Sequence, residues 1–177
     1  MFSKSPASWI WPIYLPLLVL LHGSAQAVDR YVSTTGGTTG PGTLATPWNA
    51  ATAIARALPG DTVYFRTGIY PNPWLTEITV SGKEGAPIIF KNYPGEKPVI
   101  DGTNSARVMA NDGSMRGLVT LTNRSYVTFD GFEIRNAATA NTSDVAGVLI
   151  RGASHHIKIT NCRIHHIETT LSQPNGS

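Results

Sequence analysis

Two histidine pairs, His155-His156 and His165-His166, are the residues of this chain that most directly invite chemistry. Imidazole is a common zinc ligand, so metal binding is the first reading to weigh. Neither pair has an Asp or Glu at ligand spacing beside it, and the repeat described below sets the two pairs at different corners of the fold. They are read as corner residues, and no metal site is predicted. Asp101, Asp112, Asp130 and Asp144 are likewise isolated in the sequence, and none forms the paired acidic motif that calcium would need. Cys162, the single cysteine, excludes an internal disulfide; its place in the repeat matches Phe132, so it is expected to be a buried free thiol. Three sequons (Asn123-Arg-Ser, Asn141-Thr-Ser and Asn175-Gly-Ser) are no more than a chain this rich in Asn, Ser and Thr produces by chance.

The elements that must position these residues come from a stretch written twice. Tyr126-Val-Thr-Phe-Asp-Gly-Phe-Glu-Ile-Arg-Asn136 returns as His156-Ile-Lys-Ile-Thr-Asn-Cys-Arg-Ile-His-His166, thirty positions later. Val127 and Phe129 match Ile157 and Ile159, Gly131 matches Asn161, and Phe132 and Ile134 match Cys162 and Ile164. Each copy is two short period-2 strands joined at a residue that tolerates a left-handed backbone, as Gly and Asn do. Fainter copies lie at Ile88-Ile-Phe-Lys-Asn92 and Val63-Tyr-Phe-Arg-Thr67. Short strands with a turn residue at a fixed offset read as coils of a solenoid. An immunoglobulin-like sandwich would space its turns more evenly and has no reason to repeat the strand–Asn–strand pair. Stacked coils would place Arg66, Lys91, Asp130 and Thr160 in one outward column and set Glu133 facing Arg163. Such columns could bind an acidic sugar; they are read first as surface ion pairs between coils, each worth at most about 1 kcal/mol.

Composition agrees with a turn-rich all-β domain: 177 residues, 14% charged, with 17 glycines and 12 prolines. Basic residues outnumber acidic ones only 14 to 11, and no basic stripe is interleaved with aromatics, which excludes a nucleic-acid partner. Residues 1–27 read as a secretory signal peptide: Lys4, an apolar run from Ile10 to Leu21 broken by Pro12 and Pro16, and Ala25-Gln-Ala27 as a cleavage site. The expectation is a secreted (extracellular or periplasmic) protein with no membrane contact after cleavage. Residues 28–60 supply a strand at Tyr31-Val-Ser33, a flexible loop from Thr34 to Gly42, and an amphipathic helix from Asn49 to Leu58. That helix is expected to cap the first coil, covering its apolar cross-section and open strand edges. Residues 61–177 are the coils.

The run Tyr31-Val-Ser … Pro41-Gly-Thr-Leu … Pro47-Trp … Pro59-Gly-Asp-Thr-Val-Tyr-Phe-Arg-Thr-Gly-Ile-Tyr70 resembles the amino-terminal region of secreted right-handed parallel β-helix proteins, most of all the family-nine polysaccharide lyases, which are pectate lyases. Ala86-Pro-Ile-Ile-Phe-Lys-Asn-Tyr-Pro-Gly-Glu-Lys-Pro-Val-Ile-Asp-Gly102 resembles their next coil. The resemblance implies three strands per coil. First strands would be Ile78 to Val80, Leu118 to Leu121 and Val148 to Ile150, with the register at Leu118 to Leu121 ambiguous by one residue. Second strands would be Ile88 to Phe90, Val127 to Phe129 and Ile157 to Ile159. Third strands would be Val99 to Asp101, Phe132 to Ile134 and Cys162 to Ile164. Insertions would fall at one corner, Gly102 to Gly117 and Ala137 to Gly147.

By the same resemblance the partner would be an acidic polysaccharide, lying on the outer face of the first strands between corner loops. Arg116, Arg151 and Lys158 are the cations nearest that face or its edges, and Arg suits a uronate carboxylate through bidentate hydrogen bonds. Pectate lyases remove the proton α to the uronate carboxylate with a Lys, aided by calcium on an aspartate cluster. No such cluster is visible here. Calcium is therefore expected only in a full-length lyase, the catalytic residues are unassigned, and the chain is expected to be the amino-terminal part of the enzyme, inactive by itself. The alternative is a non-catalytic β-helix that binds glycans or serves at a surface.

Overall fold

A computed structural model describes residues 27–71, 77–103, 115–139 and 144–169. Residues 1–26 of the leader, Asp112, two of the sequons, 104–114 of the first insertion and 140–143 of the second lie outside the described residues.

The chain is a parallel β-solenoid. Its strands are β1 (Asp29–Gly37), β2 (Thr62–Phe65), β3 (Gly68–Pro71), β4 (Ile88–Asn92), β5 (Pro98–Asp101), β6 (Arg116–Thr122), β7 (Ser125–Asp130), β8 (Glu133–Thr139), β9 (Val145–Arg151), β10 (His155–Thr160) and β11 (Arg163–Thr169). They form three sheets, β1-β2-β4-β7-β10, β3-β5-β8-β11 and β6-β9, in which every pairing is parallel. Parallel neighbours cannot be joined by hairpins, so the chain leaves each sheet and returns to it one strand further along, and β6-β7-β8 and β9-β10-β11 each visit all three sheets in turn. The duplicated stretch pairs as its period requires, with Ile157 opposite Val127 and Ile159 opposite Phe129.

Alternation along the strands builds the interior. Val63, Phe65, Ile88, Phe90, Val127, Phe129 and Ile134 are fully buried. Phe90 and Phe129 have ring centroids 5.2 Å apart, and Phe132 closes on Phe129 at 5.5 Å and on Phe65 at 5.1 Å. Leu118, Val119, Thr120 and Leu121 are all fully buried, so burial alone does not choose between the two inward sets open for this strand. In the last coil the inward residues Ile157, Ile159 and Cys162 are only partly buried, and Ile164 is 44% exposed.

The cap is present, with altered limits. Helix α1 (Ala50–Arg56) is shorter than the expected Asn49 to Leu58. Asn49 is its N-cap, accepting from Thr52 N at 2.8 Å, and the backbone turns extended at Ala57. Pro59 disfavours helical geometry at Leu58, which consequently points to solvent. The segment read as a flexible loop is tied down instead. β1 runs on to Gly37, Tyr31 N donates to Gly42 O at 2.8 Å, and Trp48 Nε1 donates to Gly40 O at 3.0 Å. Gly42 (φ +69°) is required there: a Cβ would stand 2.6 Å from the Trp48 ring.

Two further expectations are corrected. Ile78 to Val80 makes only a single bridge, Ile78 to Leu121. The N–H and hydroxyl of Thr79 donate to Ile54 O of the cap helix at 3.2 and 3.0 Å, so this backbone serves the cap. β2 is also set two residues from the expected alignment: Val63, not Phe65, lies opposite Phe90, and Phe65 lies opposite Asn92. The outward column is therefore Tyr64, Lys91, Asp130 and Thr160, without Arg66. The shifted register frees Arg66 Nε and Thr67 N to bond Glu96 at 2.7 and 2.5 Å.

Core truncation should register this gradient of burial. Phe129→Ala is expected to cost about 3–5 kcal/mol in denaturant unfolding, the range for a large aromatic in a packed interior. Ile159→Ala, one coil further and only partly buried, should fall below the ~2–5 kcal/mol typical of a fully buried Ile.

Candidate functional site

At the corner between the sheets β1-β2-β4-β7-β10 and β3-β5-β8-β11, four turns stack. The turn between β4 and β5 has five residues, 93–97, while the turn before it, 66–67, and the two short ones after it, 131–132 and 161–162, have two each. Gly131 (φ +77°) and Asn161 (φ +52°) take the left-handed backbone expected of the ladder position. Asn92 does not, because its longer turn need not reverse direction at one residue. Its side chain holds the turn instead, donating from Nδ2 to Glu96 O at 3.0 Å. Gly131 lacks the Cβ that would collide with Asn92 Oδ1, which is why this rung is glycine.

The long turn overhangs the two short ones and leaves a groove of about 470 Å³. Asn92, Glu96, Lys97, Asp130, Phe132, Glu133, Asn161 and Arg163 line it, with Gly95 and Gly131. Each of its carboxylates already has partners. Asp130 accepts from Asn161 Nδ2 at 2.6 Å and Thr160 Oγ1 at 3.1 Å, and pairs with Lys91 Nζ at 3.3 Å. Glu133 is bonded to His165 Nε2 at 3.1 Å and Arg135 Nη1 at 2.9 Å, and not to Arg163, the partner expected for it. Glu96 is held by Arg66 and Thr67. These partners lower the carboxyl pKa values, led by Asn161 for Asp130, His165 for Glu133 and Arg66 for Glu96, so all three groups are ionised at neutral pH. Among the described residues, Lys97 and Arg163 are drawn into no ion pair. Phe132 is buried behind them, and Cys162 is half-buried, with burial raising its thiol pKa.

A second polar ladder crosses the outer face of the sheet β3-β5-β8-β11. Asp101 pairs with Arg135 Nε at 2.9 Å and accepts from Asn136 Nδ2 at 3.1 Å and from Thr103 Oγ1 at 2.6 Å. Burial pushes its carboxyl up, but the bonds from Thr103, Arg135 and Asn136 prevail and bring it down to about 2.

The cations expected to bind substrate are dispersed. Arg116 opens β6 opposite Val145, while Arg151 ends β9 opposite Thr122. They stand at opposite ends of one sheet, roughly 20 Å apart at ~3.3 Å per residue. Arg151 Nε donates to Thr122 Oγ1 at 3.0 Å. Lys158 is exposed on β10, around the corner from Arg151. The histidine pairs do occupy separate strands, β10 and β11, with Nδ1 atoms 2.7 Å apart in the first and 2.6 Å in the second. His156 (φ +53°) stacks on Tyr126 (φ +54°) with ring centroids 4.5 Å apart, an aromatic rung at a coil corner. The groove was missed in the sequence. Its signal there is the unequal spacing between strand ends, five residues after Asn92 against two after Asp130.

A profile of the Pel9A-like right-handed β-helix region matches residues 30–176. The chain belongs to this family. It is 31% identical over 148 residues to the uncharacterised protein YwoF of Bacillus subtilis (strain 168), covering 82% of this chain and 30% of that protein. It is 29% identical over 160 residues to the pectate lyase PEL9 of Emericella nidulans, covering 86% of this chain and 36% of the relative. The chain thus spans about a third of the length of these curated relatives. The crystal structure of pectate lyase Pel9A superposes with a TM-score of 0.55 at 18% identity, over 80% of this chain and 41% of that one. The GH136 lacto-N-biosidase from Eubacterium ramulus superposes with 0.59 at 22% identity, over 79% and 27%. At these identities the two structures speak for the β-helix fold alone.

The Asp101 ladder predicts a pH dependence. Its carboxyl is lower in the folded chain than the ~3.9 of a free Asp, so its contribution of about 2 kcal/mol is full above pH ~4 and lost as pH falls through 2. Asp101→Asn should therefore cost about that much in denaturant unfolding at pH 7. The gap from the parent should narrow steadily as unfolding is repeated toward pH 2.

Proposed function

We propose that this chain is the amino-terminal part of a secreted, carbohydrate-active β-helix protein, a pectate-lyase-like polysaccharide lyase that acts on uronans by β-elimination. Its family and its relation to a pectate lyase support the substrate class. The observation that carries the reading is that a pectate lyase is 29% identical over 160 residues, 86% of this chain, within a family whose profile matches residues 30–176.

Calcium is not fitted by the described residues. Asp101 is enclosed by Arg135 and Asn136, Asp130 by Lys91 and Asn161, and no three Asp, Glu, His or Cys side chains converge among the described residues. In this reading the base and any metal come from outside the described coils, and the chain's own share is to bind and orient. Arg151 and Lys158, flanking one corner, are the cations proposed for the family's first-strand face, with Arg116 further along it.

Release of unsaturated uronides from polygalacturonate, with and without calcium, tests the enzyme. The full-length protein should release them and the 177-residue chain should not. A full-length protein that binds the polymer but releases nothing would be a non-catalytic glycan binder.

A further inference from the structure

We propose that the groove at the second-to-third-strand corner is a binding subsite for a uronic acid residue, with Arg163 and Lys97 receiving the carboxylate. This rests on the uronan reading above and adds a site on a different side of the coil from the first-strand face.

The argument is one of matched groups. Arg163 and Lys97 are cations without a carboxylate partner among the described residues, in a groove whose own carboxylates are each engaged. They approach from different turns, Lys97 from the long overhanging one and Arg163 from the last coil described, so a ligand can be held between them. The remaining functionality is of the opposite kind. Asp130, Glu133 and Glu96 are ionised and carry further lone pairs, and the Asn161 amide has its nitrogen committed to Asp130, which leaves its oxygen to accept. A ligand that satisfies this lining presents one anionic group and several hydroxyl donors. A simple anion would leave the acceptors idle, and a neutral sugar would leave both cations idle. A hexuronic acid has both kinds of group on one ring. The volume, about 470 Å³, lies within the roughly 300–1,000 Å³ usual for small-molecule sites. Glu96, in the groove's lining, is held by Arg66, whose guanidinium lies 4.9 Å from the centre of the Tyr93 ring.

The test is affinity electrophoresis of the 177-residue chain through gels holding polygalacturonate or its methyl ester. The free acid should retard the chain and the ester should not, since esterification removes the charge that Arg163 and Lys97 read. Arg163→Ala combined with Lys97→Ala should abolish most of the retardation, and Arg163→Lys should keep part of it, because a point charge replaces a bidentate fork. Lys83→Ala, an exposed cation on neither proposed face, should leave the retardation in place. Thermal melts matching the parent establish that each variant is folded; both groove residues are exposed, so folding is expected. Equal retardation by the ester, or parent-like retardation of the Arg163/Lys97 double variant, would overturn the groove and leave the uronan reading standing if Arg151 and Lys158 carry the binding. No retardation of the parent chain by either polymer would overturn both.

Discussion

Everything in this molecule depends on strand-to-strand register between coils. Parallel strands set aligned residues about 4.8 Å apart, so a residue type chosen at one position of a coil is confronted by its counterparts above and below. Apolar choices become the phenylalanine stack of Phe90, Phe129 and their neighbours. Polar choices become ladders such as Lys91–Asp130–Thr160. A solenoid has no other long-range interaction to rely on, since each coil meets only its neighbours. The falling burial of the last coil's isoleucines is the same rule seen where a neighbour on one side is lacking among the described residues.

The coil corners convert register into function. After Asp130 and Thr160 the chain turns within two residues through a left-handed backbone at Gly131 and Asn161. After Asn92 the turn lengthens to five, with its left-handed residue at Gly95, and an overhang is gained. The groove is the space between the two turn types. Its electrostatics have the same origin, because stacking puts Asp130 within reach of Lys91 on one side and Asn161 on the other. Its carboxylates are thereby held in place by the fold with lone pairs to spare, and the cations at its rim have no ion-pair partner among the described residues.

Much of this was legible in the sequence, and the failures have local causes. The thirty-residue repeat gave the pairing of β7 with β10 and of β8 with β11, because two copies with the same turn length can align only one way. Period alone did not reveal that Val63 lies opposite Phe90, since Val63 and Phe65 both face inward and a two-residue shift keeps the same face buried. The helix was overextended because Ala57 and Leu58 continue its apolar pattern, whereas Pro59 ends it. The strand expected at Ile78 to Val80 was lost to hydrogen bonds with the cap that no pattern encodes. The resemblance points to Arg116, Arg151 and Lys158, and the structure sets Arg116 and Arg151 at opposite ends of one sheet. Arg163 had been assigned to an ion pair with Glu133, an acceptor that in fact serves Arg135 and His165.

The central claim, that the corner groove of these coils receives an acidic sugar, is tested most directly by backbone amide chemical shifts on titration with a short galacturonic acid oligomer. The account predicts shifts concentrated at residues 92–97, 131–133 and 161–163, with the largest at the amides beside Lys97 and Arg163. Shifts concentrated instead on β6 and β9, with that corner unmoved, would contradict it.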